Sequence, residues 1–307
     1  MKKKFGSKCE VSDRFVKNLE KSKLVHDCLK WAKEEEEKQL GKKQTAKKTY
    51  KVKVPKLEDA NFAGTIQSNE CTLIITEGDS AKTLVMSGMG ILERDYYGVY
   101  PLQGKLINVR ATTHKKMMNN KEIRNLVEIL GLQRNLEYTR ENMSTLRYGK
   151  LMIMTDQDED GSHIKGLIIN FIHFIWPELL KLNFIVEFIT PIVKATKGKQ
   201  SQSFFSLPEF DEWKAKNKNW QKYKLKYYKG LGTSTSEEAI EYFSNFQNHQ
   251  IEFTSSEDDD RWINMAFDNK TKSKNERKEW LLEWMDGKKQ RKIDEQPEDS
   301  RNLYKKN

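Results

Sequence analysis

Two short apolar segments of the chain each end in a cluster of acidic residues. Residues 72–76 (T-L-I-I-T) lead into Glu77, and residues 151–155 (L-M-I-M-T) lead into Asp156. Segments of this length that are apolar on both faces are typical of strands buried in a parallel sheet. Parallel strands end at a common edge, where open α/β sheets bind their ligands. The pattern therefore predicts an α/β fold with a negatively charged site at that edge.

Amphipathic segments alternate with these apolar ones, as in sheets whose parallel strands are joined by crossover helices. We predict strands at residues 72–76, 98–101, 151–155 and 185–190, with helices at 80–89, 121–130 and 163–182. Pro177 is expected to kink or divide the last of these helices. After residue 191 the pattern is mixed, and it predicts strands at 204–207 and 224–228 and helices at 208–216, 236–246 and 276–285.

The composition excludes several classes of protein. Of the 307 residues, 36% are hydrophobic and 33% are charged, which is enough apolar material for a core. No apolar run approaches the roughly 18–20 residues of a membrane span. Cys9, Cys28 and Cys71 lie far apart, so a disulfide framework and a C-x-x-C zinc site are both excluded. The net charge of +10 is compatible with nucleic-acid binding, but lysines that merely solubilise the surface give the same value.

The acidic cluster after residue 155 has the residue types of a magnesium site. In an extended segment every second side chain points the same way, so Asp156, Asp158 and Asp160 are expected to present three carboxylates to one place. Like charges repel unless a cation joins them, and hard oxygen ligands favour Mg²⁺. The second acidic cluster, at Glu77, strengthens this interpretation because it follows a neighbouring strand.

Three other interpretations of the acidic residues stay open at this point. D-x-D-x-D-G at residues 156–161 also begins an EF-hand loop, but the twelfth loop position is Leu167 rather than Glu. A solvated acidic turn is a further alternative for the same segment. Near Glu77, either Asp79 or Ser80 is expected to act as the N-cap of the next helix.

Several further segments complete a family resemblance. The chain resembles the TOPRIM region of the eukaryotic type IIA DNA topoisomerases (DNA topoisomerase II) in its segments at residues 76–81, 101–110, 146–149, 152–166, 187–191 and 227–234. The P-L-x-G-K segment at 101–105 and the Y-K-G-L-G segment at 228–232 distinguish these topoisomerases from other TOPRIM proteins. The resemblance implies a Rossmann-like parallel sheet with flanking helices, preceded by a helical connector and followed by a charged tail.

The resemblance also implies a metal site and its chemistry. Glu77, Asp156 and Asp158 are implied as Mg²⁺ ligands with Asp160 nearby, and Mn²⁺ or Ca²⁺ are expected to substitute. In this family the metal stabilises charge on the scissile phosphate and the leaving 3′ oxygen while a tyrosine attacks to form a phosphotyrosyl link. Glu77 carries a second implied role as a catalytic acid or base at the leaving oxygen. No tyrosine of this chain matches the pattern of the nucleophile.

DNA contacts follow from the same resemblance. The residues implied to contact DNA are Lys105, Asn108, Arg277 and Lys278. The chain departs from the family pattern at Gln103, where Arg or Lys is usual, and at Glu159, where a neutral or His side chain is usual. The first departure removes a positive contact to DNA and is expected to weaken DNA affinity.

The resemblance predicts an organisation in four parts. Residues 1–57 are a helical basic connector that corresponds to the end of the transducer region, and residues 58–195 are the TOPRIM metal-binding domain. Residues 196–255 are an annex with the K-G-L-G segment, and residues 256–307 are a helical linker and disordered tail toward a winged-helix domain.

The family uses ATP, but no ATP site is recognised in these residues. The expected partners are double-stranded DNA and a second copy or a full-length topoisomerase II, in the nucleus and away from membranes. The alternatives are a non-catalytic relative that acts as a DNA-binding or regulatory module, and a stand-alone nuclease.

Overall fold

The computed structural model of the chain describes residues 52–253 and 255–294, with side chains as far as residue 287. Most of the predicted connector and the end of the predicted tail lie outside these residues. The strands are β1 (Thr72–Thr76), β2 (Tyr97–Pro101), β3 (Lys150–Met154), β4 (Ile185–Phe188), β5 (Val193–Lys197), β6 (Gln200–Phe204), β7 (Lys224–Tyr227) and β8 (Gln250–Glu252). The helices are α1 (Gly78–Gly88), α2 (His114–Asn119), α3 (Lys121–Leu130), α4 (Glu159–Ile175), α5 (Pro177–Lys181), α6 (Leu207–Lys216), α7 (Ser236–Ser244), α8 (Phe246–His249), α9 (Asp259–Phe267) and α10 (Thr271–Asp294).

The main sheet has five strands in the order β2-β1-β3-β4-β8. Strands β2, β1, β3 and β4 are parallel, and β8 adds an antiparallel edge. All five residues of β1 are buried, because the strand lies inside the sheet with helices covering it. The predicted α/β class with a parallel sheet and flanking helices is confirmed.

The strand register decides where the acidic residues lie. Thr76 of β1 pairs with Met154 of β3, so these central strands end side by side. Their last residues are followed by Glu77 on one strand and by Thr155 and Asp156 on the other. Strands β1 and β3 are parallel and run in the same direction, so the two acidic segments leave the sheet at the same edge.

The C-terminal half packs onto the main sheet through helix α7. One buried apolar cluster joins residues of β1, α1, β3 and β4 with Leu231 and with the α7 residues Ala239, Tyr242 and Phe243. Helices α1 and α7 are so close that a Cβ added at Gly88 would lie 2.0 Å from the Phe243 ring. Apart from residues 133–136, the described residues belong to one compact unit. Among them, no helix is long and apolar enough to cross a membrane.

A smaller sheet with the order β6-β5-β7 has its own apolar core against helix α6. A two-residue turn with Gly198 at φ +60 joins β5 to β6, and Lys197 pairs with Gln200. This turn sets the register of the hairpin, so β6 ends at Phe204 and the strand predicted at 204–207 is wrong. The alternation of buried Val193 and Ala195 along β5 is a strand signal that the sequence prediction missed.

Two helix predictions have clear outcomes. Pro177 divides the helix predicted at 163–182 as expected, since α4 ends at Ile175 and Pro177 is the first residue of α5. The helix predicted at 276–285 is longer and extends from Thr271 to Asp294. Residues 286–294 thus continue this helix, and most of them are Lys, Arg and Gln, which are good helix formers.

Candidate metal centre and nucleic-acid interface

Glu77 lies at the turn from β1 into α1. Gly78 makes this turn with φ +76, a backbone conformation that favours glycine. Glu77 occupies the N-cap position of α1, but its side chain makes no capping hydrogen bond. The expected cap by Asp79 or Ser80 is therefore wrong, because the helix begins at Gly78. Asp79 instead forms an ion pair with Lys56, whose Nζ lies 2.6 Å from Asp79 Oδ2.

The Glu77 carboxylate has an unsatisfied polar atom and negatively charged neighbours. Its Oε2 atom is buried and has no hydrogen-bond partner. Burial raises the pKa of Glu77, and the charges of Asp156, Asp158 and Asp160 raise this pKa further, while a backbone hydrogen bond from Asp156 opposes them. The structure thus brings the four predicted acidic residues into one electrostatic neighbourhood.

Asp156 and Asp158 are each held by a backbone amide. Leu231 N donates a hydrogen bond to Asp156 Oδ1 at 2.7 Å. Asp158 is the N-cap of α4, and its Oδ1 accepts a hydrogen bond of 2.7 Å from Gly161 N. The extended geometry expected for residues 156–160 is wrong after Asp158, because helix α4 begins at Glu159.

Asp160 therefore projects from the first turn of a helix and has a different partner. Lys105 Nζ lies 2.6 Å from Asp160 Oδ1, and both side chains are largely exposed. The hydrogen bond and the charge of Lys105 lower the pKa of Asp160. One predicted metal-site residue and one predicted DNA-contacting residue are thus joined in a single ion pair beside Glu77.

The donor atoms near Glu77 are of the type that hard divalent cations bind. Within the described parts of the chain, no group of three or more His, Cys, Asp or Glu side chains is gathered closely enough to hold a metal ion. The donors available near Glu77 are nevertheless hard carboxylate oxygens, which are the ligands Mg²⁺ prefers. A cation there would pair the buried Oε2 of Glu77 and offset the mutual repulsion that raises its pKa.

Two of the predicted DNA contacts hold the end of helix α9. Asn108 Nδ2 donates to Phe267 O at 2.7 Å. Arg277 donates from Nε to Met265 O at 2.9 Å and from Nη2 to Asp268 O at 2.8 Å. Asn108 and Arg277 thus satisfy backbone carbonyls that α9 leaves unpaired at its C-terminus. Lys278, the fourth predicted contact, is exposed on α10.

Sequence reasoning missed two residues that contact the predicted site. Lys56 Nζ contacts Asp79 and also lies 2.9 Å from Gln103 Oε1. Lys56 therefore brings a positive charge next to position 103, where the family pattern has Arg or Lys. Leu231 holds Asp156 through its backbone, as described above. The paired glycines of the K-G-L-G segment were the available signal, because such glycines mark a close approach of backbone to another group.

The comparisons with known proteins agree with this geometry. Residues 72–191 match the Toprim domain, and residues 188–302 match the C-terminal associated domain of TOPRIM. The chain contains a Toprim domain followed by its associated domain. The chain is 55% identical to DNA topoisomerase 2-alpha of Rattus norvegicus over 97% of its own length and 20% of that protein's length. It is 54% identical to DNA topoisomerase 2-beta of Cricetulus longicaudatus over 96% of its length and 18% of that protein's.

A solved structure of a topoisomerase shares this Toprim fold. The crystal structure of the Plasmodium falciparum topoisomerase II DNA-binding, cleavage and re-ligation domain aligns with a TM-score of 0.71 and 53% identity, covering 76% of this chain and 32% of that one. The predicted resemblance to DNA topoisomerase II is confirmed. The chain spans about a fifth of the length of the curated relatives it matches.

The contact between Asp156 and Leu231 joins the two matched domains. Asp156 belongs to the Toprim domain, and Leu231 belongs to the associated domain that follows it. The boundary predicted at residue 195 falls inside β5, which pairs with both β6 and β7. The associated domain therefore supplies one of the hydrogen bonds that orient the acidic site of the Toprim domain.

Proposed function

We propose that this chain provides the Mg²⁺-binding and DNA-positioning part of a type II DNA cleavage and religation centre. The observation that carries the proposal is the partly buried Glu77 at the end of β1, whose buried Oε2 has no partner and whose neighbours are the three aspartates that follow the adjacent parallel strand β3. The homology to DNA topoisomerase 2 over almost the whole chain supports the same reaction class.

Glu77, Asp156 and Asp158 would hold the metal. When bound, Mg²⁺ supplies Lewis-acid stabilisation of the negative charge on a scissile phosphate and its leaving oxygen. The second proposed role of Glu77, as an acid or base at the leaving oxygen, rests on the family resemblance. The nucleophilic tyrosine and ATP hydrolysis are assigned to other parts of a complete enzyme.

Lys105 is the best-placed DNA contact of the site. Its ion pair with Asp160 is exposed, and exposed pairs contribute little to stability, so a DNA phosphate exchanges for the carboxylate at little cost. Lys278 is exposed and free to reach a phosphate by the same electrostatics. Asn108 and Arg277 are proposed to act mainly by positioning α9, which Asn108 joins to the loop after β2 and Arg277 joins to α10.

The proposed partners follow from this role. Double-stranded DNA is the substrate, and two copies of the centre are needed to cut both strands, which supports action as a homodimer or together with a full-length topoisomerase II. The net charge of +10 favours DNA through phosphate attraction. Chromosomal DNA in the nucleus is the proposed place of action.

A chimera tests the proposed function. The 307 residues of this chain replace the matching segment of rat DNA topoisomerase 2-alpha, to which they are 55% identical. Plasmid relaxation and Mg²⁺-dependent cleavage comparable to the parent enzyme are expected. A chimera that is folded and binds DNA, but neither cleaves nor relaxes it, would contradict the proposal and support the alternative of a non-catalytic DNA-binding module.

The Gln103→Arg variant is expected to strengthen DNA binding. A guanidinium at position 103 adds a phosphate contact and is repelled from Lys56 toward the solvent. One added contact steepens the dependence of log Kd on log salt by about 1 and tightens binding roughly five- to tenfold at moderate salt. Fluorescence anisotropy of a DNA duplex over a salt series measures both quantities.

The matched control for this variant is Gln200→Arg, which makes the same charge change on an exposed residue of the smaller sheet. It is expected to leave the salt dependence within experimental error of the unsubstituted chain. Equal slopes for the two variants would show that position 103 does not face DNA.

A further inference from the structure

The turn at Leu231–Thr233 lies directly against the carboxylate of Asp156. Leu231 N donates a hydrogen bond of 2.7 Å to Asp156 Oδ1, although the two residues are 75 positions apart in the chain. A hydrogen bond to an ionised carboxylate is shorter and stronger than one between neutral groups. The associated domain thus fixes one oxygen of a proposed metal ligand.

Gly230 leaves no space between the turn and this carboxylate. A Cβ added at Gly230 would lie 2.4 Å from Asp156 Oδ2, 3.0 Å from Cγ and 3.3 Å from Oδ1. The φ of Gly230 is 174°, an extended conformation that any residue adopts. Glycine is therefore required at position 230 for space rather than for backbone conformation, and the atoms that need the space are those of the Asp156 carboxylate.

The turn is anchored independently of Asp156. The Leu231 side chain is 2% exposed and packs in the apolar cluster that contains Met154 and Phe188. The Gly230 carbonyl accepts hydrogen bonds from Thr233 N at 3.0 Å and from Thr233 Oγ1 at 2.6 Å. The buried Leu231 side chain anchors the turn and the two hydrogen bonds from Thr233 fix its shape, so a side chain added at position 230 is expected to displace the carboxylate rather than the turn.

We propose that Gly230 and Leu231 are positioning residues of the metal centre, which hold the Asp156 carboxylate in the orientation that binds the cation. The Gly230 backbone limits the rotation of the carboxylate by contact, and the Leu231 amide fixes Oδ1. Partners of this kind orient ligands and raise metal affinity without touching the ion. The inference rests on the proposed function, because it assumes that Asp156 is a metal ligand.

The test uses the full chain and Mn²⁺ as the probe, with free Mn²⁺ measured by electron paramagnetic resonance. Gly230→Ala is expected to weaken Mn²⁺ binding about 10- to 100-fold, the range seen for the loss of partners that orient metal ligands. Gly232→Ala is the matched control from the same turn, since a Cβ there meets nothing within 4 Å, and it is expected to bind like the unsubstituted chain. Thermal unfolding of both variants shows that they are folded.

The outcomes separate the two proposals. An unsubstituted chain that binds no Mn²⁺ would overturn the proposed metal centre and this inference with it. Normal binding by the unsubstituted chain and equally tight binding by Gly230→Ala would overturn the positioning role alone.

A second measurement needs no variant at position 230. In a chain labelled with ¹⁵N-leucine, the Leu231 amide resonance, identified by its loss in Leu231→Met, is expected to move with saturable dependence on Mg²⁺. In Asp156→Asn, the Leu231 amide resonance is expected to stop responding to Mg²⁺. A Leu231 amide with a purely structural role would not respond to Mg²⁺ in the unsubstituted chain either. A Leu231 amide that stays unmoved while other resonances report Mg²⁺ binding would contradict the inference.

Discussion

Asp158→Asn in the chimeric topoisomerase is expected to lower the rate of Mg²⁺-dependent DNA cleavage at least about a hundredfold, since loss of about 3 kcal/mol of metal-derived stabilisation has that effect. Asparagine is the informative replacement because Asp158 is also the N-cap of α4. Asparagine caps a helix as well as aspartate does, so the variant removes the charge while the hydrogen bond from Gly161 N is retained. Cleavage is measured as linear plasmid trapped by denaturant.

Asp79→Asn is the control for this result. Asp79 lies at the same sheet edge in α1, but it is exposed and paired with Lys56. Asp79→Asn removes the same charge as Asp158→Asn. It is expected to change the cleavage rate by less than about threefold, because an exposed ion pair contributes little. Similar losses in both variants would mean that general negative charge, rather than a specific ligand, supports cleavage.

Lys165→Met is expected to destabilise the chain by about 3–5 kcal/mol, because it leaves a buried carboxylate without its partner. Lys165 Nζ lies 2.5 Å from Glu187 Oε1, and the two side chains are only 15% and 10% exposed. The pair joins helix α4 to strand β4, so its loss affects the element that carries the Asp158 cap. Urea unfolding followed by circular dichroism measures the change.

Two further variants test the physical cause. Lys165→Met combined with Glu187→Leu is expected to recover most of the lost stability, because an apolar pair of similar volume replaces a buried ion pair at little cost. Lys216→Met removes the exposed pair between Lys216 and Glu212 and is expected to leave the free energy of unfolding almost unchanged. A small effect of Lys165→Met alone, or no recovery in the double variant, would contradict this account.

The acidic edge of the sheet was predictable because it depends on local pattern. Strands β1 and β3 each have an apolar centre and are followed by carboxylates, and parallel pairing brings such ends together whatever the rest of the chain does. The family motifs added the proposed roles of Glu77, Asp156 and Asp158 as metal ligands. The Gly78 turn is a local signal of the same kind, since a strand-to-helix turn with positive φ favours glycine.

The contacts that complete the site were not predictable in this way, because they join residues far apart in sequence. The ion pair of Lys105 with Asp160 and the approach of Gly230 to Asp156 depend on tertiary packing. Strand β8 was missed for a related reason: Q-I-E has one apolar residue and becomes a strand only by pairing with β4. Asp160 was misplaced because the start of α4 overrides the strand periodicity assumed for the acidic cluster.

Calorimetric titration of Mg²⁺ into the full chain and into its Glu77→Gln variant tests the central claim most directly. Glu77 supplies the buried oxygen that has no partner, and glutamine keeps the shape of the side chain while removing its charge. Saturable binding by the unsubstituted chain and binding at least about tenfold weaker in the variant are predicted. Absence of Mg²⁺ binding, or equal affinity in the two proteins, would contradict the assignment of the metal centre.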